Sequence, residues 1–555
     1  MFAELFSLVL AVWAVNAGPV KRWTNPVVDL GYATYEGVYN ETNNVQYFLN
    51  IKYGADTSGN NRFRAPQPPP ALAGIQYANV SGPSCPATNG GNTNAYFNAT
   101  QEQAFFGPQY SEDCLLVNVY LPPGTTVGQS SMPVLVNIHG GGYILGDVVA
   151  ISSGFYDVTY GPQFIFVDVS YRLAAFGFLA GTEVHANGDL NVGLLDQQAA
   201  LQWVHDNIAK FGGDPEQVTI YGVSAGAGSV MHQIIANNGN TPDKLFTGAI
   251  SSSTFTPPEY NYDDPVVEGL YQRLVGYTNC TTASDTLSCL RSLSLDALIA
   301  ADYNATVDSG PGDYTYTPVV DGTFVADRPS VLLAQGKING DTVWAGHNIN
   351  EGRIYAGIGN YAPLNIGNNV TAQAEWISGL WPHFNASLIG DIQGYYNAET
   401  FGTVQNASEY LYGENIFGCP AVWLAEAFEE NGYLSVYGHL PSFHGSDQPI
   451  TLGVFRSEIY LNGDAHWKLG QATLAAGYPQ AIVTDYMDTW TTYAATNKFV
   501  GDGVNWQAFL TSGKTFLNFN TTADQSAIDN TVPKLDEPYI QRCGFWRSIS
   551  AITPQ

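Results

Sequence analysis

The stretch VTIYGVSAGAGSVMHQIIA (218–236) places Gly222-Val223-Ser224-Ala225-Gly226 between a strand-like apolar run and a helix-like one. A G-x-S-x-G in that setting describes a tight strand-to-helix turn that lifts a serine hydroxyl above a sheet. Its flanking positions must be small, because a side chain there would strike the neighbouring strand or helix. In a chain with 58 glycines the pattern can arise by accident, so the reading depends on partners for the serine. A hydroxyl attacks an acyl carbonyl only if its proton is taken and the developing oxyanion is held.

A place to hold the oxyanion is written in VLVNIHGGGYILG (134–146), where His139-Gly140-Gly141-Gly142-Tyr143 follows a core-type strand. Consecutive glycines let backbone N–H groups converge on one point. The expected donors are the N–H groups of Gly141, Gly142 and Ala225. The base must be a histidine and, in this arrangement, follows the nucleophile. Of nine histidines, His139 belongs to the glycine loop, His185 and His205 precede the serine, and His232 sits on the following helix, two turns from Ser224. His347, His383, His439, His444 and His466 remain. SVYGHLPSFHGSDQP (435–449) puts His444 in a polar turn after a strand-like run, with His439 as its rival. The orienting acid has many candidates. Glu351 stands out in DTVWAGHNINEGRIY (341–355), in the loop after a strand-like Thr342 to Gly346. Catalytic groups of open α/β sheets collect at that C-terminal edge.

Around these residues the chain must supply a large layered fold. Its 555 residues are 45% hydrophobic and 13% aromatic, enough to fill a sizeable core. Twenty Lys and Arg against 49 Asp and Glu give a formal net charge of -29, which repels nucleic-acid phosphates and anionic membranes. Nucleic-acid partners are excluded on that ground. MPVLVNI (132–138) and FIFVDVSY (164–171) read as buried parallel strands. Leu201, Val204, Ile208 and Phe211 mark one helical face that Gly212-Gly213 ends, and Asp214-Pro215 turns the chain toward the strand before Ser224. The first 130 residues read as short strands and loops, and 256–430 as irregular, mostly helical insertions that would form a cap.

The N-terminal MFAELFSLVLAVWAVNA reads as a signal peptide (1–17), despite Glu4 and the lack of Lys or Arg in its first part. Lys21-Arg22 looks like a dibasic processing site, making 18–22 a short pro-segment and starting the mature chain at Trp23. No later run approaches a membrane span, so an exported chain without stable membrane insertion is expected. Export makes the sequons at Asn40, Asn79, Asn98, Asn304, Asn369, Asn385, Asn406 and Asn520 usable, whereas Asn279 precedes Cys280 and is the poorest acceptor. Six cysteines (Cys85, Cys114, Cys280, Cys289, Cys419, Cys543) without a C-x-x-C argue for disulfides over metal, with 15 pairings open to the sequence.

With these residues assembled, the chain resembles the type-B carboxylesterase/lipase family, which includes cholinesterases and secreted fungal lipases. The resemblance runs from about 25 to 550 and rests on RFRAP (62–66), SEDCLLVNVY (111–120), HGGGY (139–143), SYRLAAFGFL (170–179), GLLDQQAALQWVHDNIAKFGGDP (193–215), GVSAG (222–226), PVVDG (318–322), GHNINEG (346–352) and FHGSD (443–447). It implies an α/β-hydrolase fold: a large, mostly parallel sheet flanked by helices, with helical cap insertions, as one domain over 23–555. It also implies Glu351 and His444 as acid and base, and the pairings Cys85–Cys114, Cys280–Cys289 and Cys419–Cys543. The activity it implies is a secreted serine ester hydrolase acting on a small-molecule or lipid ester, with no metal or organic cofactor. Alternatives are a lipase or sterol esterase with a mobile lid, and a non-catalytic binding module.

Departures from the family pattern bear on the substrate. Val223 stands where Glu is common before the nucleophile, and Asn350 where Asp is common. The Cys85–Cys114 segment holds Tyr96, Phe97, Phe105, Phe106 and Tyr110 but no tryptophan. Cholinesterases stack a quaternary ammonium on a tryptophan in this loop, so choline esters are not expected. The loop reads either as the rim of a pocket for neutral esters or as an interfacial lid.

Overall fold

The computed structural model describes residues 24–555 apart from 43, 89–109, 130, 149–160, 162, 308–311, 357–364, 449–479, 500–505 and 525. The expected leader (1–22), the Asn98 sequon, Tyr96, Phe97, Phe105, Phe106 and His466 lie outside the described residues.

Thirteen strands are described: β1 (Val27–Asp29), β2 (Thr34–Glu36), β3 (Val38–Asn40), β4 (Val45–Lys52), β5 (Ile75–Tyr77), β6 (Leu116–Leu121), β7 (Met132–Ile138), β8 (Ile165–Val169), β9 (Gly213–Val223), β10 (Gly248–Ser252), β11 (Thr342–Asn348), β12 (Gly432–Tyr437) and β13 (Leu517–Phe519). Ten of them form one sheet in the order β13-β12-β11-β10-β9-β7-β8-β6-β4-β3, and β1, β2 and β5 form a small second sheet. From β8 to β13 every pairing is parallel, while β8-β6, β6-β4 and β4-β3 are antiparallel. The parallel strands are apolar runs buried on both faces, as crossover helices on each side require.

The helices that matter here are α1 (Val192–Phe211), α2 (Ala225–Gly239), α3 (Val404–Gly413), α4 (Cys419–Ala427), α5 (Gln480–Thr496) and α6 (Glu537–Ser548). Strand alternation divides the core. Val136, Ile138, Ile220 and Ala249 pack on one face with α1 and α2 residues such as Val204 and Ile234. Leu135, Tyr221, Val223, Ile250 and Trp344 pack on the other against Met487, Trp490 and Tyr493 of α5. Val223 is therefore core, not a charged neighbour of the serine. Helix α1 starts nine residues before the first of its sequence-marked apolar positions and ends at Gly212, whose N–H closes onto Ile208 O and Ala209 O. β9 begins at Gly213 rather than after Asp214-Pro215. Its register with β7 slips between Met132/Gly213 and Val134/Val218, so the turn residues sit in a bulge inside the strand.

Two buried bidentate ion pairs account for motifs quoted above. Arg62 joins Glu112, tying RFRAP to SEDCLLVNVY, with both N–O distances 2.6 Å. Arg172, after β8, grips Asp196 of α1 at 2.7 and 2.6 Å with both residues almost fully buried. Planar guanidinium–carboxylate pairs fix orientation as well as charge. The disulfides are Cys85–Cys114, Cys280–Cys289 and Cys419–Cys543, as the resemblance implied.

Candidate active site

Ser224 joins β9 to α2 in a strained conformation, φ 60° and ψ -127°, a region that side chains enter only when the surroundings over-determine it. The surroundings are the neighbouring backbones. A Cβ on Gly222 would come within 2.2 Å of Gly226 C and O, and a Cβ on Gly226 within 2.1 Å of Ile138 O. The Ser224 N–H donates to Ser252 O at 3.0 Å, and Ser224 O accepts the Gly228 N–H at 2.9 Å, so both sides of the turn are pinned.

The glycine loop leaves β7 directly alongside. A Cβ on Gly140 would lie 3.2 Å from Ser224 Cβ and 2.4 Å from Val223 O. Gly141 and Gly142 have φ 113° and 65°. Among the described residues the N–H groups of Gly141, Gly142 and Ala225 donate to no acceptor, which leaves three free backbone donors beside one hydroxyl. His139 supports this loop. Its ring stacks on Tyr171 at 4.4 Å, Nδ1 lies 2.9 Å from Gly140 O, and burial drives its pKa down to about 4 against the pull of that carbonyl. It is a neutral strut.

Glu351 follows β11 and His444 follows β12, so both side chains arrive at the same edge as Ser224. Glu351 Oε2 lies 2.6 Å from His444 Nδ1. The other oxygen, Oε1, accepts from Ser253 Oγ (2.6 Å), the Asn348 N–H (2.6 Å) and Asn348 Nδ2 (3.2 Å). Glu351 is 1% exposed. Burial alone would raise its pKa, yet the facing imidazole and these donors hold it below the usual glutamate range. The Nδ1–carboxylate contact leaves Nε2 as the free nitrogen of His444. No hydrogen bond joins Ser224 Oγ to that ring among the described residues, and such contacts are often long in substrate-free sites.

Of the other histidines, His439 is buried with Nδ1 3.1 Å from Thr521 Oγ1, away from Glu351, and His383 pairs with Asp264. His232 is fully buried against Glu259. Residues the sequence did not single out complete the surroundings. Ser253 and Asn348 brace Glu351, and Asn348 Nδ2 also reaches Asp447 Oδ1 at 3.0 Å. The Phe417 ring centroid is 4.5 Å from that of His444, on a one-turn π-helix (Glu414–Gly418) between α3 and α4, while Tyr355 lies 5.4 Å away. The Tyr314 ring occupies the space a Gly142 side chain would take. Ser253 closes a run of three serines that begins inside β10, and Asn348 stands three residues before Glu351, a weak signal that the loop carries its own support.

A family model described as the carboxylesterase family matches residues 24–546, nearly the whole chain. The chain belongs to the carboxylesterase family. Its relatives include Lipase 4 of Diutina rugosa, 38% identical over 330 residues that make up 56% of this chain and 59% of that protein. Another is the secreted triacylglycerol lipase LIP1 of Gibberella zeae, 36% identical over 337 residues, 56% of this chain and 55% of that one. The matched region thus spans between half and two thirds of these relatives' length. The crystal structure of Aspergillus niger EstA superposes with a TM-score of 0.80 at 28% identity, covering 96% of this chain and 99% of that one. A PNB esterase gives 0.72 at 23% identity over 94% and 100% of the two chains, a likeness of fold alone. This chain therefore has the α/β-hydrolase architecture of these esterases. Among the described residues, no helix is long and apolar enough to cross a membrane.

Proposed function

We propose that the protein is a secreted serine carboxylic ester hydrolase for neutral esters, with Ser224 as nucleophile, His444 as base and Glu351 as orienting acid. The observation that carries the reading is the His444 Nδ1–Glu351 Oε2 contact of 2.6 Å on the same sheet edge as the strained Ser224 turn. His444 Nε2 takes the Ser224 proton as Oγ bonds to the acyl carbon, and Glu351 stabilises the resulting imidazolium. The N–H groups of Gly141, Gly142 and Ala225 receive the carbonyl oxygen as it becomes an oxyanion. His444 then returns the proton to the departing alcohol, and water releases the acid from the acyl-enzyme by the same route.

The substrate class follows from the walls. Phe255, Tyr314, Tyr355 and Phe417 bring aromatic surface around His444 and the glycine loop. Val223 adds no charge beside the serine, which favours uncharged esters over choline esters. A lipase reading draws on the names of the fungal relatives, three of which are called secreted lipases. Those names and the three disulfides support export. Asn79, Asn304, Asn369, Asn385 and Asn406 are exposed and Asn40 and Asn520 partly so, which suits them as glycan sites.

The test is hydrolysis of p-nitrophenyl butyrate by the wild type beside Ser224→Ala. Activity lost in the variant establishes the nucleophile, and strong activation at an emulsion interface would favour the lipase. Failure of a fluorophosphonate to label the wild type would make the protein a binding module instead.

A further inference from the structure

A second histidine–carboxylate pair lies behind the glycine loop, outside the catalytic constellation. His232 on α2 and Glu259 are both fully buried, with His232 Nε2 3.0 Å from Glu259 Oε2. The other ring nitrogen, Nδ1, lies 2.7 Å from Gly228 O and so carries a hydrogen. Two neutralising partners in a fully buried site share one proton between them, because an unpaired charge there would be very costly.

Gly228 is the hinge of the arrangement. Its N–H donates to Ser224 O at 2.9 Å, and its missing side chain makes room for the loop residue Tyr143, whose Oη lies 2.3 Å from where a Cβ would stand. Tyr143 continues the run of positive φ at Gly141 (113°) and Gly142 (65°) with φ 64°. A bulky residue stays in that region only when its environment holds it. The ring is held by Phe178 at 5.0 Å, Phe255 at 5.8 Å and the edge of His232 at 6.4 Å, and Tyr143 O accepts the Ala174 N–H at 2.8 Å. Among the described residues no hydrogen bond of ordinary geometry reaches Tyr143 Oη or Glu259 Oε1, both buried, and the phenol has only Ser229 near enough to favour its ionised form, so ring packing is its main anchor.

The proposed oxyanion donors come from two separate segments, the loop (Gly141, Gly142) and the start of α2 (Ala225). Tyr143 belongs to the first and Gly228 to the second, and they meet in one buried contact backed by His232 and Glu259. We propose that Tyr143 is a positioning residue for the oxyanion site, and that the His232–Glu259 pair locks it by fixing Gly228. This rests on the esterase reading above. The lock sets the spacing of the donors relative to Ser224 without touching substrate.

The test compares Tyr143→Phe, which keeps the ring, with Tyr143→Leu, which does not, and with Glu259→Leu. Activity on p-nitrophenyl butyrate is expressed per active site titrated with a fluorophosphonate, alongside the thermal midpoint. Tyr143→Leu should lower kcat about 10- to 100-fold with KM within about threefold, and slow fluorophosphonate labelling in parallel. Tyr143→Phe should stay within about threefold of wild type, and Glu259→Leu should fall about tenfold. A purely structural role would lower the thermal midpoint and leave kcat per titrated site unchanged, and that result overturns the proposal. Should Tyr143→Leu not fold, Glu259→Leu decides on the same criterion, and if it also fails to fold, a Tyr143→Phe kcat lowered beyond tenfold overturns the packing anchor while wild-type behaviour supports it. A wild type that neither hydrolyses the ester nor takes the label overturns the esterase reading itself, and with it this proposal. An active wild type with an inactive Ser224→Ala separates the two cases.

Discussion

Replacing Gly226 by alanine isolates the geometry of the serine turn from its chemistry. The added Cβ would sit 2.1 Å from Ile138 O and 3.0 Å from His139 C and O, all backbone atoms at the end of β7. No flexible side chain can yield there, so restoring an ordinary separation moves one backbone by about 1 Å, since packed interiors leave no spare room. The strand that would move leads into Gly141 and Gly142, and the helix that would move begins at Ala225. The displacement therefore opens Ser224, the proposed nucleophile, and the proposed donors relative to each other. A misplacement of that size costs on the order of 10²-fold in rate, while overpacking costs about 1–3 kcal/mol in stability. The assay is kcat on p-nitrophenyl butyrate per titrated site, with thermal melting beside it. Gly390→Ala is the control, because its Cβ would meet nothing within 4 Å in the helix Ala386–Tyr395, and it should stabilise by about 0.5–1 kcal/mol. A folded Gly226→Ala with wild-type kcat would refute the claim that close backbone contact sets the site.

Glu351→Gln keeps the shape but removes the charge facing His444, and kcat should fall about 10³- to 10⁴-fold with folding retained; a loss under tenfold would remove Glu351 from the role proposed. Burial raises the Asp168 carboxyl from 3.8 to about 7, with Asn137 pulling it back and Asp147 adding to the rise. The unfolded chain releases that proton first, so stability should decline from about pH 4 to about pH 7 and level off above. Asp168→Asn should recover up to about 4 kcal/mol at pH 8, read from urea melts at both ends of the window. Among disulfides, Cys419–Cys543 closes 124 residues and Cys280–Cys289 only 9. Serine replacement of each pair should cost about 5 and about 3 kcal/mol respectively in the chain-entropy account, and the reverse order in denaturant melts would contradict it.

Where sequence reading succeeded, local chemistry and local structure coincided. The apolar run of β7, the glycine loop and the G-x-S-x-G turn each announce themselves within a dozen residues, because a backbone that must approach another backbone admits only small residues. Glu351 separates from other carboxylates by its strand-end position and His444 is favoured over His439 by its polar turn, but both assignments gain their weight from the resemblance. The contacts distinguish the two histidines, since His444 meets Glu351 and His439 meets Thr521, which supports the role proposed for His444. Ser253, Asn348, Phe417 and the His232–Glu259 pair were illegible for a related reason. Each acts through a partner from another segment, as with Ser253 and Asn348, which are 95 positions apart. No periodicity encodes such a pairing. The bulge in β9 was missed because Asp214-Pro215 has turn chemistry yet lies beside an existing strand.

The parallel order of β7, β9, β11 and β12 also bears on how the site comes into being. Its groups hang on strands whose intervening chain must first cross back over the sheet, so no short fragment contains the proposed constellation, which spans residues from Gly141 to His444. Parallel, long-range pairing is slow to form because loop closure precedes the contacts that reward it. The proposed ester hydrolysis should consequently be among the last properties to return during refolding, well after helical signal, and on that reading an emerging chain on the ribosome stays inert until β12 and the His444 turn are complete.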